Sequence, residues 1–255
     1  MRKILEELGS RDTIAIGGHV RPDGDCVGSC MGMYLYLKKA LPDAQIDVYL
    51  EKPADIFDCI HGIEAVRTDC SKDCVYDVFI VLDTSKELGD AEKYFRTAKK
   101  TINVDHHISN ASGCGDVNYC KPDASSASEL VYELLEEKYM DAEIAKALYL
   151  GIVHDTGVFQ YSNTTPDTLR IAAKLLAYGF DFSKLIDETF FEKTYVQNQV
   201  LGRALLESVR FMDGKCIFSS IDLKTMEFYK VVPKDLDGIV SQLRITKGVE
   251  CAIFL

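Results

Sequence analysis

Short, nearly continuous apolar runs alternate with segments of helical periodicity along most of the chain. The runs that predict strands are Thr13–Ile16, Ile46–Leu50, Val75–Asp83 and Thr101–Asp105. Apolar strands separated by helices are typical of a parallel sheet that is buried on both faces. The pattern therefore predicts an α/β fold, with a parallel sheet and helices on both of its faces.

Helix start signals mark three further segments after the last of these strands. Ser126 and Glu129 have the spacing of a capping box at the start of one helix. A second helix is predicted over Ala142–His154, and a third begins with Thr165 as N-cap residue and Pro166 in its first turn. The helix N-terminus at Ser126 can also favour an anion, although capping is the preferred interpretation.

A change of pattern near residue 200 predicts a second, smaller domain. The stretch "SVRFMDGKCIFSSI" has the pattern of a hairpin with a two-residue Asp213-Gly214 turn, and the chain stops inside the apolar run "VECAIFL". We predict a large domain over residues 1–182, a helical linker over 183–200 and a smaller α/β domain over 201–255. We expect this second domain to be incomplete.

The composition is that of an ordinary soluble globular protein. Of the 255 residues, 47% are hydrophobic and 27% are charged, and no apolar run approaches the length of a membrane span. The nine cysteines are scattered without a repeated CxxC pair, which is typical of reduced thiols in the cytoplasm. We expect a cytoplasmic protein that does not bind membranes.

The net charge of −11 argues against long nucleic acids as partners, because their binding needs a basic face. A ligand that carries phosphate would need positive charge from a source other than lysine and arginine. Divalent metal ions can supply that charge.

Residues that bind metals or transfer protons occur at four places, three of which directly follow a predicted strand. They are His19 with Asp23 and Asp25, then Asp83, then Asp105 with His106 and His107, and finally Asp155. A single aspartate after a strand is usually a turn or capping residue. The joint occurrence is different, because ligands of open parallel sheets bind at the carboxyl ends of the strands, where these loops would meet.

The donor types narrow the choice of metal. Carboxylates with imidazole, and no thiolate, favour Mn²⁺ or Mg²⁺ over structural zinc, and two ions offset this many carboxylates better than one. Pro22 fixes a backbone angle, and we expect Gly24 to let the chain turn tightly so that Asp23 and Asp25 face different ions. His61 and His154 are interpreted as residues without function, His154 being electrostatically favourable near a helix C-terminus.

Four motifs in this order and spacing resemble those of the DHH phosphoesterases, most closely the nanoRNase and pAp-phosphatase branch. They are "HVRPDGDCVGS", "VLDTS", "VDHH" and "HDTGVFQYS". The resemblance implies a parallel-sheet DHH domain with two Mn²⁺ ions, Mg²⁺ being the alternative. It also implies a smaller, substrate-gripping domain of the DHHA1 type, of which residues 201–255 match only the start. The glycine-rich "GGGH"-type segment of that domain does not occur in this sequence.

The resemblance also implies a role for each candidate residue. His107 would contact the scissile phosphate, and Asp105 would orient the histidine pair. A water shared by two metal ions would be the nucleophile. The implied metal ligands are His19 and Asp23 for the first ion, Asp25, His106 and Asp155 for the second, and Asp83 bridging both.

The leading hypothesis is a Mn²⁺-dependent phosphoesterase, an enzyme that hydrolyses oligoribonucleotides of two to five residues and 3′,5′-bisphosphate nucleotides. Two alternatives remain open. One is a manganese-dependent inorganic pyrophosphatase, which would use the same kind of metal site. The other is a catalytically impaired module that binds metal or nucleotide. The expected partners are small nucleotide substrates, and a homodimer is left open.

Overall fold

The predicted apolar runs form the strands of one parallel sheet. A computed structural model describes residues 3–85 and 87–255 of the chain. The strands of its larger sheet are β1 (Thr13–Gly17), β2 (Gln45–Tyr49), β3 (Val66–Arg67), β4 (Val78–Leu82), β5 (Thr101–Asp105) and β6 (Val117–Cys120). Their order is β3-β2-β1-β4-β5-β6, and every neighbouring pair is parallel.

Helices cover both faces of this sheet, as predicted. They are α1 (Ile4–Leu8), α2 (Gly24–Ala40), α3 (Glu92–Thr97), α4 (Ala127–Leu134), α5 (Ala142–Asp155), α6 (Pro166–Leu176) and α7 (Phe182–Ile186). Alternate residues of a strand point to opposite faces. In β4, Ile80 and Leu82 belong to the core that includes α2, α4 and α5, whereas Phe79 and Val81 pack with Tyr94 of α3. Burial on both faces explains why the strand is apolar at every position.

The fourth strand is shorter than its apolar run. The run Val75–Asp83 predicts a longer strand, but β4 spans Val78–Leu82 because its flanking residues make other contacts. The Tyr76 hydroxyl donates a hydrogen bond to Asp47 Oδ2 (2.6 Å). At the other end, Asp83 has a left-handed backbone with φ of 59°. Asp83 matters more for function than Tyr76, because Asp83 lies at the candidate site.

A charged hydrogen-bond network joins the starts of β1 and β4. Asp77 Oδ2 accepts hydrogen bonds from the N–H of Thr13 and from its hydroxyl (both 3.2 Å), and Lys99 Nζ lies 2.8 Å from Asp77 Oδ1. The hydrogen bond from Lys99, together with those from Thr13 and Asp12, lowers the pKa of Asp77 to about 2. The network therefore stabilises the fold only while Asp77 is ionised.

We expect Asp77→Asn to lower the free energy of unfolding by about 1–2 kcal/mol near neutral pH, since it removes the charge from these hydrogen bonds. The pKa in the folded protein lies below the ordinary value of 3.8. The contribution of Asp77 is therefore complete above about pH 4 and is lost as the pH falls towards about 2. Urea unfolding of both proteins at several pH values should show the difference shrinking in acid. The exposed Asp43→Asn is the control, and a difference that does not vary with pH would contradict the assignment.

The chain divides into two compact units, the first ending at Phe190 and the second running from Phe191 to Leu255. The second unit has its own core and a three-stranded sheet of order β7-β8-β9. Its elements are α8 (Tyr195–Leu206), β7 (Val209–Phe211), β8 (Cys216–Ser219), α9 (Leu223–Tyr229), α10 (Ile239–Arg244) and β9 (Cys251–Phe254). The predicted domain limits, and the comparison of residues 201–255 with a DHHA1-type domain, stay predictions.

The predicted hairpin is present in the second unit. The N–H of Lys215 donates to the carbonyl of Met212 (3.1 Å), which closes a turn over Asp213 and Gly214, both with positive φ. Among residues 3–85 and 87–255, none of the helices combines the length and the apolarity needed to cross a membrane.

Candidate metal centre

Three neighbouring strands end at the same edge of the sheet, and their carboxyl ends bring together predicted site residues from three separate segments of the chain. His19 lies two residues after β1, Asp83 directly follows β4, and His106 directly follows β5. Because β1, β4 and β5 are adjacent in the sheet, their ends meet at one edge. Asp155, the last residue of α5, reaches the same place, since its Oδ2 lies 3.8 Å from His106 Nε2.

Asp83 lies between two histidines. Its N–H continues the sheet ladder by donating to the carbonyl of Val104 (3.0 Å), and its left-handed backbone is one that aspartate tolerates better than most residues. Asp83 Oδ2 lies 3.5 Å from His19 Nε2, and Oδ1 lies 3.4 Å from His106 Nε2. The two oxygens of one buried carboxylate therefore face two different groups of candidate ligands.

The first group consists of His19, Asp23 and Asp83. His19 Nε2 lies 3.6 Å from Asp23 Oδ1, and Nδ1 lies 2.8 Å from the carbonyl of Val20. If Nδ1 carries the proton that this carbonyl accepts, Nε2 keeps its lone pair for a metal ion. Asp23 is also the N-cap of α2, since its Oδ1 accepts hydrogen bonds from the N–H groups of Asp25 and Cys26.

The second group consists of His106 with Asp25, Asp83 and Asp155. His106 Nε2 lies 3.9 Å from Asp25 Oδ2. Among the described residues, His106 Nε2 and Asp83 Oδ1 are buried without any hydrogen-bond partner. Buried polar atoms are nearly always paired in proteins. Two such atoms 3.4 Å apart, among carboxylates and imidazoles, fit the donor set of a divalent cation.

The helix N-terminus that the sequence marked at Ser126 does hold an anion, and that anion is the side chain of Asp25. Asp25 Oδ2 accepts from the N–H of Ala127 (2.6 Å), and Oδ1 accepts from the N–H of Ser128 (3.0 Å). The predicted capping box is only half formed. The Ser126 hydroxyl accepts from the N–H of Glu129, whereas the carboxylate of Glu129 accepts from Ser125 and Thr168.

The crowding of carboxylates shifts their pKa values and those of the histidines. Burial, and the charge of Asp83, raise the pKa of Asp25 well above its ordinary value. Burial raises the pKa of Asp155 to about 6. Burial lowers the pKa of His106, but the carboxylates of Asp83, Asp25 and Asp155 outweigh it and raise that pKa to about 9. The site therefore has an excess of negative charge, which bound cations would offset.

His107, but not His106, is hydrogen-bonded to the carboxylate of Asp105 among the described residues, and the role of Asp105 in orienting the histidine pair stays a prediction. His107 Nδ1 lies 2.8 Å from Asp105 Oδ1, which also accepts from the His107 N–H (3.1 Å). Asn110 donates to Asp105 Oδ2 (2.6 Å). The His107 side chain is 50% exposed and borders a cavity of about 460 Å³. The other residues that line this cavity are His19, Asp23, Asp83, Thr84, Ser85, Glu87, Asp105, Ser109 and Asn110.

Asp155 is followed by strained backbone. Gly157, Val158 and Phe159 all have φ between 54° and 63°, which is unfavourable for a β-branched residue such as Val158. Asn163 donates hydrogen bonds to the backbone carbonyl and to Oδ2 of Asp155 (3.1 and 3.2 Å). Asn163 thus positions a candidate ligand, and nothing in its local sequence indicated this role.

Gly24 and His154 have roles that differ from the sequence-based interpretation. Gly24 is the first residue of α2, and a Cβ atom there would lie 2.2 Å from the ring of His154. Glycine is needed to leave room for that ring and not to form a tight turn. Burial lowers the pKa of His154 to about 4, so this histidine is neutral and the proposed interaction of its charge with the helix C-terminus does not apply.

Cys26 is a further potential donor, and its thiol is not among the ligand types predicted from the sequence. Its Sγ, a ring nitrogen of His19 and a carboxylate oxygen of Asp83 lie within 4.8 Å of one another. Burial raises the pKa of the Cys26 thiol. The available signal was the position of Cys26, three residues after Asp23 and in the first turn of α2.

The fold and the candidate site define a class of protein: an α/β protein with a cluster of carboxylates and histidines at the carboxyl edge of its parallel sheet. The chain belongs to the DHH family, whose N-terminal domain matches residues 13–152. The predicted resemblance and the predicted class of enzyme are confirmed.

Relatives extend this match over most of the chain. The bifunctional oligoribonuclease and PAP phosphatase NrnA of Bacillus subtilis is 27% identical, over 99% of this chain and 80% of its own length. The protein of the same name from Thermus thermophilus is 29% identical, over the whole of this chain and 76% of its own. An exopolyphosphatase-related protein from Bacteroides fragilis shares the fold, with a TM-score of 0.85 over 94% of this chain and 74% of its own, at 23% identity.

Proposed function

We propose that this protein is a metal-dependent phosphoesterase that hydrolyses oligoribonucleotides of two to five residues and 3′,5′-bisphosphate nucleotides. His19 and Asp23 would hold one divalent cation, and Asp25, His106 and Asp155 a second, with Asp83 between them. When bound, such cations activate water and neutralise the charge of a phosphate group. The carboxylate and imidazole donors favour Mn²⁺, with Mg²⁺ as the alternative.

The observation that carries this proposal is the placement of Asp83. Its two oxygens lie 3.5 Å from His19 Nε2 and 3.4 Å from His106 Nε2, while Oδ1 and that nitrogen of His106 have no hydrogen-bond partner among the described residues. A carboxylate in this position can be shared by two cations. A role in folding alone would leave these buried polar atoms unpaired.

The other residues of the site would act on the substrate. The hydrogen bond that His107 Nδ1 donates to Asp105 fixes the ring at the rim of the cavity, where its other nitrogen can donate to a phosphate oxygen. Asp25 is held by two backbone N–H groups, which keeps its carboxylate in place without a lysine or arginine. The cavity of about 460 Å³ has the size of a site for small molecules.

The substrate class is supported by the relatives and by the charge. Two relatives that match nearly all of this chain are named oligoribonucleases and PAP phosphatases. The net charge of −11 disfavours long nucleic acids and is compatible with short ones.

The test is hydrolysis of a labelled diribonucleotide and of a 3′,5′-bisphosphate nucleotide, each with added Mn²⁺, with pyrophosphate as a parallel substrate. We expect release of mononucleotides and of inorganic phosphate, respectively, and loss of both when a chelator removes the metal. Hydrolysis of pyrophosphate alone would support the pyrophosphatase alternative. Bound metal without any hydrolysis would support the binding module.

We expect His107→Ala to lower the rate of hydrolysis by about 10²-fold or more, because the variant lacks the donor to the phosphate. The number of bound metal ions, measured by elemental analysis, should not change, since neither proposed ion depends on this ring. His61→Ala, which alters an exposed histidine, is the matched control. Loss of a metal ion in the His107 variant would instead make this histidine a metal ligand.

A further inference from the structure

A thiol lies beside the first group of candidate metal ligands. One ring nitrogen of His19, the Sγ of Cys26 and one carboxylate oxygen of Asp83 all lie within 4.8 Å of one another. Cys26 is completely buried, and Asp83 is 3% exposed. Asp83 Oδ2 faces His19 Nε2 (3.5 Å), whereas Oδ1, which has no hydrogen-bond partner among the described residues, faces His106. The carboxylate next to this thiol therefore reaches both groups of candidate ligands, and it is not fully used by hydrogen bonds within the protein.

The fold holds the thiol in place from two sides. The backbone N–H of Cys26 donates to Asp23 Oδ1 (3.0 Å), which fixes the first turn of α2 against another candidate ligand. A Cβ atom on Gly18 would lie 2.3 Å from the Sγ of Cys26. The thiol thus occupies the space that a side chain at position 18 would need. Since His19 is the next residue, the sulfur packs directly against the segment that carries the histidine.

We propose that Cys26 is a further ligand of the cation that His19, Asp23 and Asp83 hold, and that this position takes thiophilic divalent ions such as Co²⁺, Fe²⁺ or Zn²⁺ in preference to Mn²⁺. The proposal rests on the proposed function, because it adds a donor to that metal centre. When the bond from sulfur to the cation forms, the S–H proton passes to solvent.

The chemistry of the donors predicts a difference between the two positions. Thiolate is a soft ligand that favours these ions over Mn²⁺ and Mg²⁺. In the part of the chain that the structure describes, the second group offers no thiol: its donors are the carboxylates of Asp25, Asp83 and Asp155 and the imidazole of His106, with a ring nitrogen of His107 close by. That group keeps the preference for Mn²⁺ or Mg²⁺ predicted from the sequence.

A buried cysteine is also a common small apolar residue of protein cores, and α2 offers a comparison. Cys30 lies one turn further along the same helix and is equally buried. Among the described residues it belongs to neither cluster of potential metal ligands. Cys30→Ala is therefore the matched control for Cys26→Ala, because each variant removes one buried sulfur from the same helix.

The test is binding of Co²⁺ to the full chain after its metals have been removed by a chelator. The unmodified protein and Cys30→Ala should show the near-ultraviolet charge-transfer band of a sulfur–cobalt bond. Cys26→Ala should lose this band and keep the visible cobalt absorption of a site with nitrogen and oxygen ligands. Its affinity for Co²⁺ should fall about tenfold or more, while its affinity for Mn²⁺ should change much less. Circular dichroism checks that each variant is folded.

X-ray absorption at the cobalt edge of the unmodified, cobalt-loaded protein shows directly whether sulfur is bound to cobalt, without any variant. A sulfur atom in the cobalt shell supports the proposal. Bound cobalt with only nitrogen and oxygen neighbours, or a charge-transfer band that persists in Cys26→Ala, overturns it and leaves the proposed function intact. A chain that binds neither Co²⁺ nor Mn²⁺ overturns both.

Discussion

Replacement of Asp83 by asparagine should lower the rate of hydrolysis by about 10³-fold or more while leaving the protein folded. Asparagine has nearly the same shape but no charge. Because Asp83 lies between the two groups of candidate ligands, its carboxylate would contribute to both cations at once. Neither group can replace it, since their other members each face only one histidine.

The same substitution should remove most of the stabilisation that metal ions give to the folded protein. In the metal-free protein the charge of Asp83 is repelled by Asp25 and Asp155 but attracted by His106, whose pKa the carboxylates raise to about 9. Because these effects oppose each other, we expect the melting temperature of metal-free Asp83→Asn to lie close to that of the unmodified protein. Added Mn²⁺ should raise the melting temperature of the unmodified protein strongly and that of the variant much less, because ligands that bind the folded state stabilise it.

Asp77→Asn is the matched control, since Asp77 precedes β4 and Asp83 follows it. That variant should be less stable and fully active at temperatures where it is folded. Thermal unfolding with and without Mn²⁺, beside diribonucleotide hydrolysis, separates the two effects. An Asp83→Asn protein with an unchanged rate would show that the carboxylate is not shared by the metal ions.

Replacement of Gly28 by alanine should lower the free energy of unfolding by about 3 kcal/mol, because it forces apart two helices in contact. A Cβ atom on Gly28 of α2 would lie 2.5 Å from the carbonyl oxygen of Ala147 and 2.7 Å from the backbone nitrogen of Gly151, both in α5. These are backbone atoms and cannot rotate away. The new methyl group can therefore be accommodated only if α2 and α5 move apart.

Activity should fall together with stability in this variant. α2 begins next to Asp23 and contains Asp25, while α5 ends at Asp155, so a shift between the helices moves candidate ligands apart. We expect the affinity for metal to decrease even where the protein is fully folded. Calorimetric titration with Mn²⁺ below the unfolding transition measures this effect.

Gly202→Ala provides the comparison. Gly202 is also inside a helix, α8, but a Cβ atom there would meet nothing within 4 Å. Alanine is the better helix former, so this variant should be as stable as the unmodified protein or more stable by up to about 1 kcal/mol. Equal destabilisation by the two substitutions would mean that close packing of α2 against α5 is not the reason for Gly28.

The strands and the candidate ligands could be predicted because their signals are local. An apolar run such as that around β4 reports burial on both faces of a strand, and β5 spans the predicted Thr101–Asp105 without change. The order of the motifs then places His19, Asp83 and His106 after adjacent parallel strands. Because adjacent parallel strands end at the same edge of a sheet, the proximity of these three residues could be predicted without knowing how the helices pack.

The tertiary structure alone decided the contacts between residues that are distant in the chain. Asp25 binds the N–H groups of Ala127 and Ser128, more than one hundred residues away, and Gly24 is a glycine because of the ring of His154. Spacing along one helix does not reveal that Cys26 faces His19. Each of these contacts depends on how helices pack on the sheet. Packing is set by the shapes of side chains from several segments at once, and such shapes leave no periodic signal in any one of them.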